Sequence, residues 1–186
     1  MKVKFKEIAL MLSGVYMKTD PSGDIGYWQI KDVSKENGFN YEQLSMVVDN
    51  GKISNYLLRP GDLLFSSKGL SNYCVMYHGE GGKTMASSSF ILIRLKDLNQ
   101  VLPEFICYYL NSLSVLDKLR SAAVGTTIQI IPQSVLGELE LTIPSIEVQR
   151  IFIEIERLQK RTELVYSEMI YKKKILLDHL LMEIVE

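Results

Sequence analysis

The chain has 186 residues, of which 47% are hydrophobic, 23% charged and 9% aromatic. That balance excludes a disordered, collagen-like or disulfide-stapled protein and fits one globular domain with an appended element. Lysine and arginine number 21 against 22 aspartate and glutamate, for a formal charge of -1 and a pI near 6.2, so any DNA binding has to come from local patches.

The first residues, Met1-Lys-Val-Lys-Phe-Lys-Glu7, lack the apolar run and small-residue cleavage site of a signal peptide. No stretch approaches the roughly 18 uncharged apolar residues of a membrane span, so the expectation is a soluble, cytoplasmic protein with no membrane partner. Phe5 to Leu12 reads as a helix, and Trp28 to Ile30 as a strand after a turn. Further strands are expected around Phe65, through the alternation from Tyr73 to Tyr77, and at Phe90 to Leu95. Arg59-Pro-Gly-Asp62 and Gly79-Glu-Gly-Gly82 supply the turns between them. Pro103 to about Arg120 is a helix with its proline in the first turn.

The chain changes character at Pro144, after which there is neither glycine nor proline. From Ser145 to Glu186, apolar residues recur at mostly three- and four-residue steps, with Ser145 placed as N-cap and Glu147 at the positive end of the helix dipole. A helix of about 40 residues is about 60 Å long, too long to lie wholly on a domain of this size. It needs another helix to cover it as a coiled coil. The fold class is therefore α+β: a strand-rich mixed domain over 1–144, followed by a long helix over 145–186 in a dimeric antiparallel coiled coil. Leu158, Val165, Met169, Leu176 and Leu180 form the dimerisation seam, interrupted by Thr162 and Lys172.

Motifs for catalysis fail on inspection. Gly79-Glu-Gly-Gly-Lys-Thr84 ends like a phosphate-binding P-loop, but the required first glycine is Tyr77, and the segment from Met85 to Ile93 reads as a strand, which favours a hairpin loop. Asp24 and Lys31 faintly suggest a magnesium nuclease, yet position 29 is Gln and the spacing is tight. His78 and His179 share no ligand spacing, and Cys74 and Cys107 lack CxxC spacing, which favours free thiols. With no cofactor loop, no metal site and no assembled nucleophile, the chain reads as a binding protein without cofactors.

Several segments, in order, carry a family likeness. They are Val3-Lys-Phe-Lys-Glu-Ile8 with Ser13 and Gly14, Tyr27-Trp-Gln-Ile-Lys-Asp32, and Leu58-Arg-Pro-Gly-Asp-Leu-Leu-Phe-Ser-Ser-Lys-Gly69. Gly125-Thr-Thr-Ile-Gln-Ile-Ile-Pro132, Leu139-Glu-Leu-Thr-Ile-Pro144 and Gln149 with its helix complete the series. In this order the sequence resembles the DNA specificity subunit of Type I restriction-modification systems. In that family a target recognition domain reads one part of a bipartite DNA site, and a long helix acts as spacer and docking element. Full-length members carry two of each, so this sequence resembles a half-subunit.

The resemblance implies a non-catalytic specificity component whose partners are double-stranded DNA, modification (methyltransferase) subunits, a restriction subunit through the complex, and a second copy of itself. Lys, Ser, Thr and amide groups at loop ends hold phosphates or read base edges, which selects Ser66, Ser67, Lys68, Lys83, Thr126, Thr127 and Gln129 as DNA-binding candidates. Tyr27, Trp28, Tyr73 and Tyr77 are expected in the core, and Asp62 as a turn stabiliser. Two other readings stand beside this one: a coiled-coil protein-interaction module without DNA specificity, which the near-zero charge favours, and a degenerate nuclease at Asp24 and Lys31.

Overall fold

The computed structural model describes residues 2–42, 44–49, 51, 53–69, 71–123 and 130–185. The chain divides into two compact units, Met1–Ile146 and Glu147–Glu186. In chain order the first unit contains β1 (Lys2–Lys4), α1 (Phe5–Ile8), β2 (Ala9–Ser13), β3 (Ile25–Trp28), β4 (Val33–Ser34), β5 (Gly38–Phe39) and β6 (Ser45–Val47). It continues with β7 (Leu63–Ser66), β8 (Cys74–Met76), β9 (Thr84–Ala86), β10 (Phe90–Leu95), α2 (Pro103–Asn111), α3 (Leu113–Ser121), α4 (Gln133–Gly137) and β11 (Glu140–Thr142).

A four-stranded antiparallel sheet, in the order β2-β10-β7-β8, forms the centre. β10 is apolar on both faces because both are covered. Ile91, Ile93 and Leu95 join Leu63, Phe65 and Cys74 against Ile106 and Leu110 of α2 and Leu116 of α3, while Phe90 and Leu92 join Leu64, Val75, Trp28 and Tyr77 in a second core. Trp28, Tyr27, Tyr73 and Tyr77 are all buried, as packing residues should be. Burial also pushes the Tyr73 phenol up to about 12, and its hydroxyl donates to the Val33 carbonyl at 2.6 Å.

Four expectations from local sequence are corrected. The helix predicted over Phe5 to Leu12 stops after one turn, and Ala9–Ser13 becomes a strand. Ala9 and Met11 are buried while Leu10 is 48% exposed, a two-residue alternation, and this strand pairs antiparallel with β10, Ala9 opposite Leu95 and Ser13 opposite Ile91. Pairing with a central strand outweighs helix propensity.

The helix predicted over Pro103 to Arg120 breaks at Ser112, whose extended backbone (ψ 140°) separates α2 from α3. Asn111 explains the position of the break. Its side chain leaves the helix to accept from the Cys74 amide at 2.9 Å and donate to the Cys74 carbonyl at 2.8 Å, satisfying backbone groups of β8, the strand at the edge of its sheet. Cys74 and Cys107 are free thiols, and burial pushes the Cys74 thiol well above its ordinary pKa.

Third, Gly79–Gly82 is not a hairpin loop. It carries the chain from β8 to β9, which belongs to a different sheet, β6-β3-β9, and runs parallel to β3. Tyr77 pins this crossover by donating its hydroxyl to the Glu80 carbonyl at 2.6 Å. Trp28 ends β3, and the chain then enters a 3-10 turn at Ile30–Asp32 rather than more strand.

β1 pairs antiparallel with β11. The Glu138 carboxylate reinforces this clamp by accepting from Lys4 Nζ at 2.6 Å and from Lys6 Nζ, and these two ammonium groups hold Glu138 down to about 2.

The second unit is α5 (Ile146–Val185), a helix of 40 residues. The apolar residues of its expected seam are in solvent: Leu158 is 55% exposed, Val165 50%, Met169 48%, Leu176 60% and Leu180 45%. Thr162 donates its hydroxyl to the Leu158 carbonyl at 2.9 Å, so this polar residue enters the apolar stripe with its hydrogen bond already made. Lys172 pairs with Glu168 one turn back, at 2.7 Å. Among the described residues, no helix is long and apolar enough to cross a membrane.

Candidate nucleic-acid interface

The loop after β7 carries Ser66, Ser67 and Lys68. Ser66 and Ser67 are buried, and their hydroxyls turn into the fold. Ser66 Oγ lies 3.3 Å from the Ser71 carbonyl and 3.4 Å from that of Lys68, while Ser67 Oγ donates to the Ser89 carbonyl at 3.1 Å. The two serines therefore shape the loop, and Lys68, half-buried, is the residue of the three with side-chain access to solvent.

The loop is braced from two distant stretches of sequence. Ile131 donates its amide to the Ser67 carbonyl at 2.9 Å, and Lys68 and Ile130 form an antiparallel bridge. Thr126, Thr127 and Gln129 lie outside the described residues, but the next residue along the chain, Ile130, is thus anchored beside Lys68. From the other side, Asn72 donates its side-chain amide to the Ser66 carbonyl at 2.9 Å, and Arg120 Nε approaches Asn72 Oδ1 at 3.4 Å. Arg120, at the end of α3, is a partly exposed guanidinium beside the loop that sequence reasoning did not select. Its signal was weak, since a basic residue in the last turn of a helix has an ordinary explanation in the helix dipole.

Lys83 is exposed but sits elsewhere. β7 and β8 pair with Leu63 opposite Met76 and Phe65 opposite Cys74, so the Ser66–Lys68 loop leaves one end of the pair and the crossover carrying Lys83 leaves the other. The structure does not bring these two candidates together.

Asp62 occupies the Pro-Gly-Asp turn in the role expected from sequence. Its Oδ2 accepts from the Arg59 amide at 2.7 Å, and Gly61 takes the left-handed conformation (φ +88°) the turn needs. Arg94, which interrupts the apolar run of β10, makes a two-pronged ion pair with this carboxylate, Nε to Oδ1 at 2.8 Å and an Nη to Oδ2 at 2.6 Å. The hydrogen bonds that Arg94 donates to Asp62 hold the Arg94 pKa above its ordinary value. A buried negative charge is thereby neutralised inside the fold, and Arg94 is spent on structure.

His78 and His179 are both exposed, and among the described residues no cluster of His, Cys, Asp and Glu is arranged to hold a metal ion.

The model of the Type I restriction modification DNA specificity domain matches residues 2–167, which takes in the globular unit and the first half of α5. The chain belongs to that family. That family is a non-catalytic DNA recognition component of restriction-modification complexes. Among curated proteins, none matches the sequence.

Solved structures share the fold at low identity. The Type I restriction-modification S subunit from M. genitalium superposes with a TM-score of 0.60 at 17% identity, over 90% of this chain and 41% of that one. The HsdS subunit from Thermoanaerobacter tengcongensis gives 0.59 at 14%, over 88% and 38%. A structure titled for complex assembly and conformational transition of the type I R-M system gives 0.61 at 16%, over 89% and 39%. This specificity domain therefore spans between 38% and 41% of the length of the solved chains it resembles.

Proposed function

We propose that the globular unit reads one half of a bipartite double-stranded DNA site, and that α5 pairs with the α5 of a second copy as an antiparallel coiled coil. The assembly directs separate adenine methyltransferase (modification) subunits to that site and, through the complex, a restriction subunit. It does so in the cytoplasm. The observation that carries this reading is the pairing, in one chain of the specificity family, of a compact globular unit with a 40-residue helix whose apolar stripe lies in solvent. Such a stripe demands a partner, and two-fold pairing of identical helices covers both stripes while setting one recognition domain at each end.

Two identical domains related by a two-fold axis read the same half-site in inverted orientation, so the full target is an interrupted palindrome. The test is methylome mapping of a strain carrying only this chain and its modification partner. A symmetric bipartite site is expected, and two unrelated half-sequences overturn the homodimer.

A second reading, a coiled-coil interaction module without DNA specificity, draws on the formal charge of -1. Salt separates the two. Phosphate neutralisation makes DNA affinity fall linearly in log-log terms as salt rises, whereas a protein-only module shows no such dependence.

A further inference from the structure

We infer that a groove on the globular unit, bounded by residues 16–19, 29–31 and 87–89, holds one sugar-phosphate strand of the DNA, Lys18 and Lys31 neutralising its phosphates and the serine row at 87–89 donating to them. The inference rests on the DNA-binding reading above and adds the surface that sets the register of the duplex.

Four observations carry it. First, Lys18, Lys31, Gln29, Ser87, Ser88 and Ser89 all line the groove, and no described residue along it is acidic. In a chain whose acids outnumber its bases, an acid-free groove with two lysines and a wall of small hydroxyls is a departure from the surface average. Lysines and hydroxyls are the groups that hold phosphate oxygens, and a concave surface suits a strand backbone rather than base edges, which need projecting side chains.

Second, Ser87 is only 7% exposed, yet its hydroxyl has no hydrogen-bond partner within the protein. A buried hydroxyl without a partner is costly, and because Ser87 lines the groove, a small shift of its hydroxyl brings it to an acceptor seated there.

Third, the walls are built to stay in place. Tyr27 accepts from the Met17 amide at 3.1 Å and donates to the Val15 carbonyl at 2.8 Å, and Gln29 donates to Ser45 Oγ at 3.0 Å. Gly14 brings the chain before residue 16 so close to the 87–89 turn that an added Cβ meets the Ser87 carbonyl oxygen at 2.1 Å.

Fourth, the groove's serine wall is tied to the loop already described. The Ser89 carbonyl accepts from both the Ser67 amide (2.9 Å) and the Ser67 hydroxyl (3.1 Å), which fixes the serine wall against the segment that carries Lys68. Tyr16, 79% exposed on the opposite wall, adds an aromatic face for sugar contact.

The test compares the full chain with Lys18→Ala/Lys31→Ala and Ser87→Ala variants, alone and with the cognate modification subunit, on a random duplex pool across a salt series. Lys18 and Lys31 are exposed, so the double variant keeps the wild-type Trp28 fluorescence. Its affinity is expected to fall at least about tenfold on every sequence, with the log K against log salt slope shallower by about 2, while the sequence selected from the pool is unchanged. Ser87→Ala, which removes one hydrogen bond to a charged acceptor, is expected to weaken binding several-fold, again without altering the selected sequence.

If the wild type binds with a steep salt slope and the double variant binds identically, the groove lies off the DNA path and this inference falls while DNA recognition stands. A changed target sequence also overturns it, by making the groove a base-reading surface. If binding is kept and only the hold on the modification subunit is lost, the groove is a protein-docking site. A wild-type chain with no salt-dependent duplex binding in either setting defeats the DNA reading itself.

Discussion

The two units of this chain spend similar side chains in opposite ways. In the globular unit Trp28, Leu64 and Ile93 are completely buried, and even the charged pair Asp62–Arg94 is folded inward. Along α5, leucines and valines of the same hydrophobicity stay about half exposed. The globule completes its core through non-local strand pairing, whereas the seam residues of α5 from Leu158 to Leu180 lie in solvent. On the function proposed above, a second copy covers the apolar stripe on α5 and the globule's surface serves recognition.

The largest effect that breaks this contrast belongs to the helix. Val165→Asp/Met169→Asp sets two charges into the proposed seam, and the chain is expected to sediment as a monomer at micromolar concentration with the fluorescence of Trp28, its single tryptophan, unchanged. A dimer that survives places the interface elsewhere.

Within the globule, Arg94→Met leaves the Asp62 carboxylate, 3% exposed, without its counter-ion. Breaking a buried pair from one side costs about 3 kcal/mol, read as a lower urea midpoint of the Trp28 transition. Adding Asp62→Asn is expected to restore part of the loss, because an amide oxygen still accepts from the Arg59 amide. No recovery in the double variant means that the ion pair is not the source of the stability.

A smaller effect tests the loop. Lys68→Ala is expected to weaken duplex binding several-fold and to reduce the salt slope by about 1, with stability unchanged. Lys83→Ala, at the other end of the β7–β8 pair, is expected to move binding less, and equal effects from the two refute the separation of these ends.

The smallest effect is the acid response of the β1–β11 clamp. Glu138 drops from an ordinary 4.5 to about 2 because Lys4 and Lys6 donate to its carboxylate, so its contribution is full above about 4.5 and is lost as pH falls through about 2. An NMR titration of the Glu138 side chain with a midpoint near 4.5 contradicts the clamp.

Sequence by itself determined the features that depend on local periodicity and backbone chemistry. The long helix is legible because a glycine- and proline-free stretch with three- and four-residue apolar steps has one regular solution. The Pro60-Gly61-Asp62 turn is legible because its geometry is set within four residues. The apolar runs of β7, β8 and β10 likewise announce strands, since few other elements bury short continuous hydrophobic segments.

Only the tertiary structure decided the rest. Ala9–Ser13 is a strand because β10 offers it an edge, and α2 ends at Asn111 because Cys74 needs its amide. Ser66 and Ser67 carry phosphate-binding chemistry in sequence, yet their burial turns them into scaffolding for Lys68. The groove was invisible for the same reason: residues 16–19, 29–31 and 87–89 share no motif, and strand pairing between β3 and β9, with the close approach at Gly14, is what sets them side by side. Local sequence specifies which conformation a segment can take, while the choice among segments, and every surface assembled from several of them, depends on which backbone groups and side chains find partners far along the chain.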